Sequence, residues 1–122
     1  MTTYFYDSYA IIEYVRDNPS FREYFETHSG IMTPLNLLEV YYSILNEAGR
    51  ETADKILDTL YPIVTSPTKE ETRQAMIFRQ ENKKKDLSYA DCLGYMVARS
   101  RNMQFLTGDR AFNGMRGVEF IK

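Results

Sequence analysis

The chain of 122 residues has one cysteine, one histidine and no tryptophan. With Cys92 alone, an intrachain disulfide is impossible. Together with His28 it falls short of the four nitrogen and sulfur ligands that a structural zinc site takes. Nothing suggests that these two residues meet for Cys–His catalysis, and both read as structural. No apolar run approaches the roughly 18 residues of a membrane span. The first residues show no basic segment leading into an apolar stretch and a small-residue cleavage site. A cytoplasmic protein without membrane contact is therefore expected. An excess of positive charge is missing too: 15 basic residues face 17 acidic ones, for a net charge of −2. That balance excludes a broadly basic nucleic-acid coat, but not an enzyme that meets phosphate through a carboxylate-held cation. Any metal bound here must be held mainly by oxygen, which points to magnesium or manganese.

What is present suits one folded domain over residues 1–122, with 43% apolar and 26% charged residues. Residues 2–6 are rich in Thr, Tyr and Phe, as strands are. Asp7-Ser8 ends that stretch, and Ala10, Ile11, Tyr14 and Val15 follow at helical spacing. Pro19-Ser20 opens a second helix, which His28-Ser29-Gly30 stops. Residues 30–33 form a second candidate strand. Thr33-Pro34 then starts a helix running to Glu47 and ending at Gly49. Another helix spans residues 51–60. Ile63-Val64-Thr65 reads as a third strand. Thr68 to Glu71 has the form of a capping box for a helix reaching Asn82, closed by Lys83-Lys84-Lys85. A helix over 88–101, a strand over 104–107 and a strand over 118–121 complete the chain. Gly94 inside its helix marks close packing, since glycine there otherwise costs stability. The alternation predicts an α/β fold with a mostly parallel central sheet of about five strands, covered by helices on both faces. In such sheets the carboxyl ends of the strands form the active edge.

Four acids tend toward that edge. Asp7 follows the first strand and Asp109 the fourth, and each is also well placed to cap a helix or turn. Asp91 fits the capping-box form Ser88-x-x-Asp91. Glu39 has no such local explanation. It shares a ridge with Leu35 and Tyr42 in a helix that is apolar on nearly all sides, so it is expected to be buried. A carboxylate buried there needs a cation or a partner. Crowded carboxylates repel one another, and a hard divalent cation offsets the repulsion. Such a site can hydrolyse a phosphodiester without a protein nucleophile.

Four pieces in order are similar to the PIN-domain family, and by size to its VapC-type toxins. They are Asp7-Ser8 followed by Ala10-Ile11-Ile12; Thr33-Pro34 leading to Leu38-Glu39-Val40; Leu87-Ser88-Tyr89-Ala90-Asp91; and Phe105-Leu106-Thr107-Gly108-Asp109 with Phe112. The resemblance covers essentially the whole chain. It implies a PIN-like three-layer fold and a magnesium- or manganese-dependent endoribonuclease, as the toxin of a toxin–antitoxin pair or as an RNA-processing enzyme. It also implies direct metal ligation by Asp7 and Asp91, a shell completed by Glu39 and Asp109, and support from Thr107 and Ser8. A small antitoxin and a homodimer are the partners implied beside RNA. One departure is Ala111, where many relatives carry a further acidic or amide residue. A non-catalytic protein-binding module on the same fold is the rival reading.

Lys83, Lys84, Lys85 and Arg110 are candidate contacts for RNA phosphates, although cations also suit a helix C-terminus electrostatically. The ten tyrosines could include stacking partners for bases. Most of them, at helical spacing, read as core or interface.

Overall fold

Side-chain alternation in the first strand sets up two cores. In β1 (Thr3–Tyr6), Tyr4 and Tyr6 pack on one face and Phe5 on the other, as the two-residue period of a strand requires. The computed structural model describes residues 2–122. The remaining strands are β2 (Ser29–Ile31), β3 (Gln104–Thr107) and β4 (Val118–Phe120). They form one parallel sheet in the order β2-β1-β3-β4, with Phe5 opposite Phe105 and Leu106 opposite Glu119. The expected third strand is not one. Tyr61–Ile63 is a turn of 3-10 helix with Pro62 inside it, and only Val64 makes an isolated parallel bridge to Met32. Proline has no N–H to give a ladder, so the segment touches the sheet at one point.

Among the described residues, six helices cover the sheet: α1 (Ser8–Val15), α2 (Arg22–Glu26), α3 (Pro34–Ala48), α4 (Arg50–Leu60), α5 (Lys69–Glu81) and α6 (Tyr89–Ser100). One core lies between the sheet and the helices α1, α3 and α4, around Ile11, Phe21, Met32, Val40 and Leu106. The other lies under α5 and α6, around Phe5, Leu93, Val97, Phe105 and Phe112. The result is the three-layer α/β arrangement expected. At Gly94, α6 packs tightly against the Phe5 and Phe105 rings of the sheet. A Cβ added there would lie 2.6 Å from the Phe5 ring, so α6 reaches the sheet only because the side chain is missing.

The expected burial of α3 on nearly all sides is corrected. The buried stripe is Asn36, Val40 and Ile44, at i, i+4 and i+8, a normal single-face pattern. Leu38 and Tyr42 are 67% and 68% exposed, and Glu39 between them is exposed as well. Apolar composition was a poor guide here because this helix has a second apolar face that the chain itself leaves uncovered.

Candidate active site

The sheet order places β1 and β3 side by side, with β2 and β4 outside them. The connections therefore diverge at the carboxyl ends of β1 and β3, where open parallel sheets form their ligand crevice. Asp7 is the residue after β1, and its N–H donates to the Leu106 carbonyl of β3 at 3.1 Å. Thr107 closes β3, and Asp109 follows two residues later. The helix α6 leads into β3, so its N-terminus with Ser88 and Asp91 lies at this same edge.

Asp7 stands before α1, but its side chain makes no cap hydrogen bond to that helix. Instead its Oδ2 accepts from the Thr107 hydroxyl at 2.7 Å. The residue is 2% exposed. Burial, reinforced by the charges of Asp91 and Asp109, pushes its carboxyl up to about 7, while the Thr107 hydrogen bond pulls the other way. Asp91 behaves as the capping grammar says. Its Oδ2 accepts from Ser88 N–H at 2.9 Å, and its own N–H donates to Ser88 Oγ at 3.0 Å. Its carboxyl is nevertheless raised, first by burial and also by Asp109. Asp109 caps a short turn, with Oδ1 accepting from Ala111 N–H at 3.0 Å, and its N–H donates to Thr107 Oγ1 at 3.0 Å.

Three aspartates thus sit within electrostatic reach of one another, and none of them makes an ion pair among the described residues. The cap hydrogen bonds of Asp91 and Asp109 each use one oxygen, so capping leaves the other oxygen of each carboxylate for a ligand. Among the described residues, no group of three or more His, Cys, Asp or Glu side chains stands close enough together to hold a metal ion as the side chains lie. The donor chemistry nonetheless fits a hard divalent cation: oxygen only, mutually repelling, partly desolvated and without a basic counter-charge.

Glu39 reaches the site indirectly. Ser8 Oγ donates to its Oε1 at 2.6 Å, and Asn36 Nδ2 donates to Ser8 Oγ at 3.0 Å. Asn36 is fully buried, and its Oδ1 accepts from both the N–H and the hydroxyl of Thr33 at 3.0 and 2.9 Å. This relay ties the start of α1 to α3 and sets where Glu39 points. Glu39 is brought beside Ser8, the neighbour of Asp7, but on an exposed surface and not in the apolar burial expected of it. Asn36 escaped sequence reasoning. Its signal was a polar residue in line with Val40 and Ile44, four and eight positions on.

Of the basic candidates, Lys83, Lys84 and Lys85 lie along the connection from α5 to α6, and Arg110 follows β3. Lys83–Lys85 forms a 3-10 turn, and all three lysines are exposed. The Lys85 ammonium approaches the Ala111 carbonyl at 3.5 Å, beside exposed Arg110. None of these four residues makes an ion pair among the described residues.

Comparison with known proteins follows the same lines. Residues 4–118 match the model of the PIN domain family. No curated protein sequence matches the chain significantly. Among solved structures, VapC20 from Mycobacterium tuberculosis, described as a sarcin–ricin loop cleaving toxin, superposes with a TM-score of 0.77 at 14% identity, over 96% of this chain and 98% of that one. VapBC2 from Rickettsia felis, solved with a DNA fragment from its promoter, gives a TM-score of 0.77 at 16% identity, over 99% and 100%. A toxin–antitoxin complex from Klebsiella pneumoniae gives 0.74 at 16% identity, over 98% and 96%. At these identities the likeness to solved structures is one of fold. The family match extends from β1 to the start of β4, across the edge where Asp7, Asp91 and Asp109 gather, and on it the chain belongs to the PIN domain family.

Proposed function

We propose that this chain is a magnesium- or manganese-dependent endoribonuclease and the toxin of a toxin–antitoxin pair. The observation that carries the reading is Asp7, buried at the junction of β1 and β3 with Asp91 and Asp109 close by and no cation among the described residues to neutralise them. Family membership and the names of the structural neighbours support it. Asp7 and Asp91 would hold the metal directly, with Asp109 and Glu39 completing the shell or positioning its waters. A bound divalent cation supplies neutralising charge, polarises the phosphodiester and lowers the pKa of water. Thr107 fixes the Asp7 carboxylate and favours its ionised form by donating to it. Ser8 and Asn36 orient Glu39. The reaction is hydrolysis: a water oxygen adds to phosphorus and the bond to one ribose oxygen breaks, with no protein nucleophile.

The partner reading has its own support. Pro34, Leu37, Leu38, Tyr41 and Leu57 line an almost wholly apolar groove of about 340 Å³ between α3 and α4. Large exposed apolar patches mark interaction surfaces, and a small antitoxin covering this groove would lie directly beside Glu39. The helices of the described residues include none long and apolar enough to cross a membrane, and RNA cleavage by such a toxin would take place in the cytoplasm.

The test is cleavage of a structured RNA by antitoxin-free protein with manganese. Wild type should cut, while EDTA and the variants Asp7→Asn and Asp91→Asn should abolish cutting with the fold intact by circular dichroism. Undiminished cutting in EDTA would overturn the metal mechanism. A small reading frame directly upstream, whose product co-purifies as a stable complex, would support the toxin assignment; its absence would favour an RNA-processing enzyme. Sizing the free chain tests the expected homodimer.

A further inference from the structure

Tyr89 is a large aromatic residue, 59% exposed, in the first turn of α6 and two residues before Asp91. One face of its ring is occupied: the Arg79 guanidinium carbon lies 4.3 Å from the ring centroid. Arg79 is fixed a second time, because its Nε donates to the Leu87 carbonyl at 3.2 Å. It is only partly exposed, and it makes no ion pair among the described residues. By contrast, Arg16, Arg73 and Arg101 are all engaged by glutamates. A planar cation already stacked and pinned loses little freedom when an anion arrives.

The two stacked residues open onto hollows of different character. Arg79 and Lys83, with Asn82, Asp86 and Leu87, line a small cavity of about 90 Å³ whose wall is polar and apolar in nearly equal parts. Tyr89 joins Leu35, Leu38, Glu39, Ser88 and Ala90 around a shallow, mainly apolar depression of about 210 Å³. A nucleotide has the same division, a flat apolar base joined to an anionic phosphate. Base–aromatic stacking is sequence-tolerant and needs an open ring face beside a cationic path. The exposed lysines of the 3-10 turn, which make no ion pair among the described residues, supply that path.

We propose that Arg79 and Tyr89 form a nucleotide clamp beside the carboxylate centre: the base of an unpaired RNA residue stacks on Tyr89, and a neighbouring phosphate meets Arg79 and Lys83. The clamp rests on the ribonuclease reading and adds to it the residues that seat the strand. Arg79 and Tyr89 are positioning residues; neither touches the reacting phosphorus. Asp86 in the same cavity disfavours a second phosphate there, so the clamp takes one.

Fluorescence anisotropy with a labelled single-stranded oligoribonucleotide in EDTA tests this apart from cleavage. Tyr89→Phe should bind within about twofold of wild type, and Tyr89→Ala should bind roughly 5- to 100-fold more weakly. Arg79→Gln should also weaken binding and lower the slope of log affinity against log salt by about 0.7, one phosphate contact on a single strand. With manganese, Tyr89→Ala should raise KM and leave kcat within a few-fold. Binding and cleavage unchanged in Tyr89→Ala would overturn the clamp, as would an equal loss in Tyr89→Phe. Loss of antitoxin binding alone would assign the surface to a protein and overturn it as well. If wild type cuts no RNA, the ribonuclease reading fails, and the titration in EDTA still decides the clamp: RNA binding that ignores Tyr89, or no RNA binding at all, overturns it.

Discussion

The Thr107 hydroxyl donates a 2.7 Å hydrogen bond to Asp7, joining the ends of adjacent strands across 100 positions of sequence. The same oxygen accepts from the Asp109 N–H at 3.0 Å. One hydroxyl therefore holds the backbone after β3 and the carboxylate after β1 in a fixed relation. Thr107→Val keeps the shape of the side chain and removes both hydrogen bonds. It should destabilise the protein by about 1–3 kcal/mol, because it leaves buried polar groups unpaired. Manganese-dependent RNA cleavage should fall at least about tenfold, the effect of a lost 1.4 kcal/mol. Thr107→Ser should restore much of both, as read by thermal melts and initial rates.

The buried state of Asp7 has a sign that a pH series can read. Its carboxyl is pushed up to about 7 in the folded, metal-free protein, first by burial. A raised folded-state pKa favours the protonated form, so its stabilising contribution is complete below about pH 4, the unfolded value. The contribution is lost as pH rises through about 7. Asp91 is shifted in the same direction. Asp7→Asn should therefore stabilise the metal-free protein at pH 8 by roughly 2–4 kcal/mol, with little effect at pH 4. Melts in EDTA across that range check it, and an Asn variant less stable than wild type at pH 8 would contradict it.

Glu71 makes the opposite case at a structural site. It caps α5 through the Thr68 N–H at 2.9 Å and takes Arg101 Nε and Nη2 at 2.8 and 2.9 Å, with a further hydrogen bond from Ser100. The Arg101 hydrogen bonds hold its carboxyl down at about 2. A depressed pKa contributes stability that is present above about 4.5 and lost as pH falls through about 2. Glu71→Ala should cost about 1–3 kcal/mol at neutral pH, since it leaves the partly buried Arg101 guanidinium without its partner. Activity per folded molecule should be unchanged, which separates this residue from the carboxylate centre.

Local grammar made much of this legible. Ser88-x-x-Asp91 and Thr68-x-x-Glu71 both form the reciprocal boxes that their spacing announces. The Thr33-Pro34 helix start and the packing role of Gly94 also appear as expected. Asp7 was harder, because a residue before a helix can cap it or turn away, and only the hydrogen bond from Thr107 decides between these. Glu39 misled through composition. Leu38 and Tyr42 beside it are apolar but exposed, whereas polar Asn36 is fully buried. That inversion depends on which face of α3 meets Ile11 and Met32, and periodicity could not choose between two apolar faces. Ile63-Val64-Thr65 had strand composition, but Pro62 left it a single bridge.

The most direct measurement of the central claim, that Asp7, Asp91 and Asp109 form one cation site, is a manganese titration followed by thermal melting at pH 7.5. An ion that binds only the folded state raises stability by about 2.7 kcal/mol at one hundred times its dissociation constant. Wild type should show a saturable rise in melting temperature, while Asp7→Asn and Asp91→Asn, melting cooperatively, should show little or none. A wild-type melt that manganese leaves unmoved, or one that rises equally in both variants, would contradict the site.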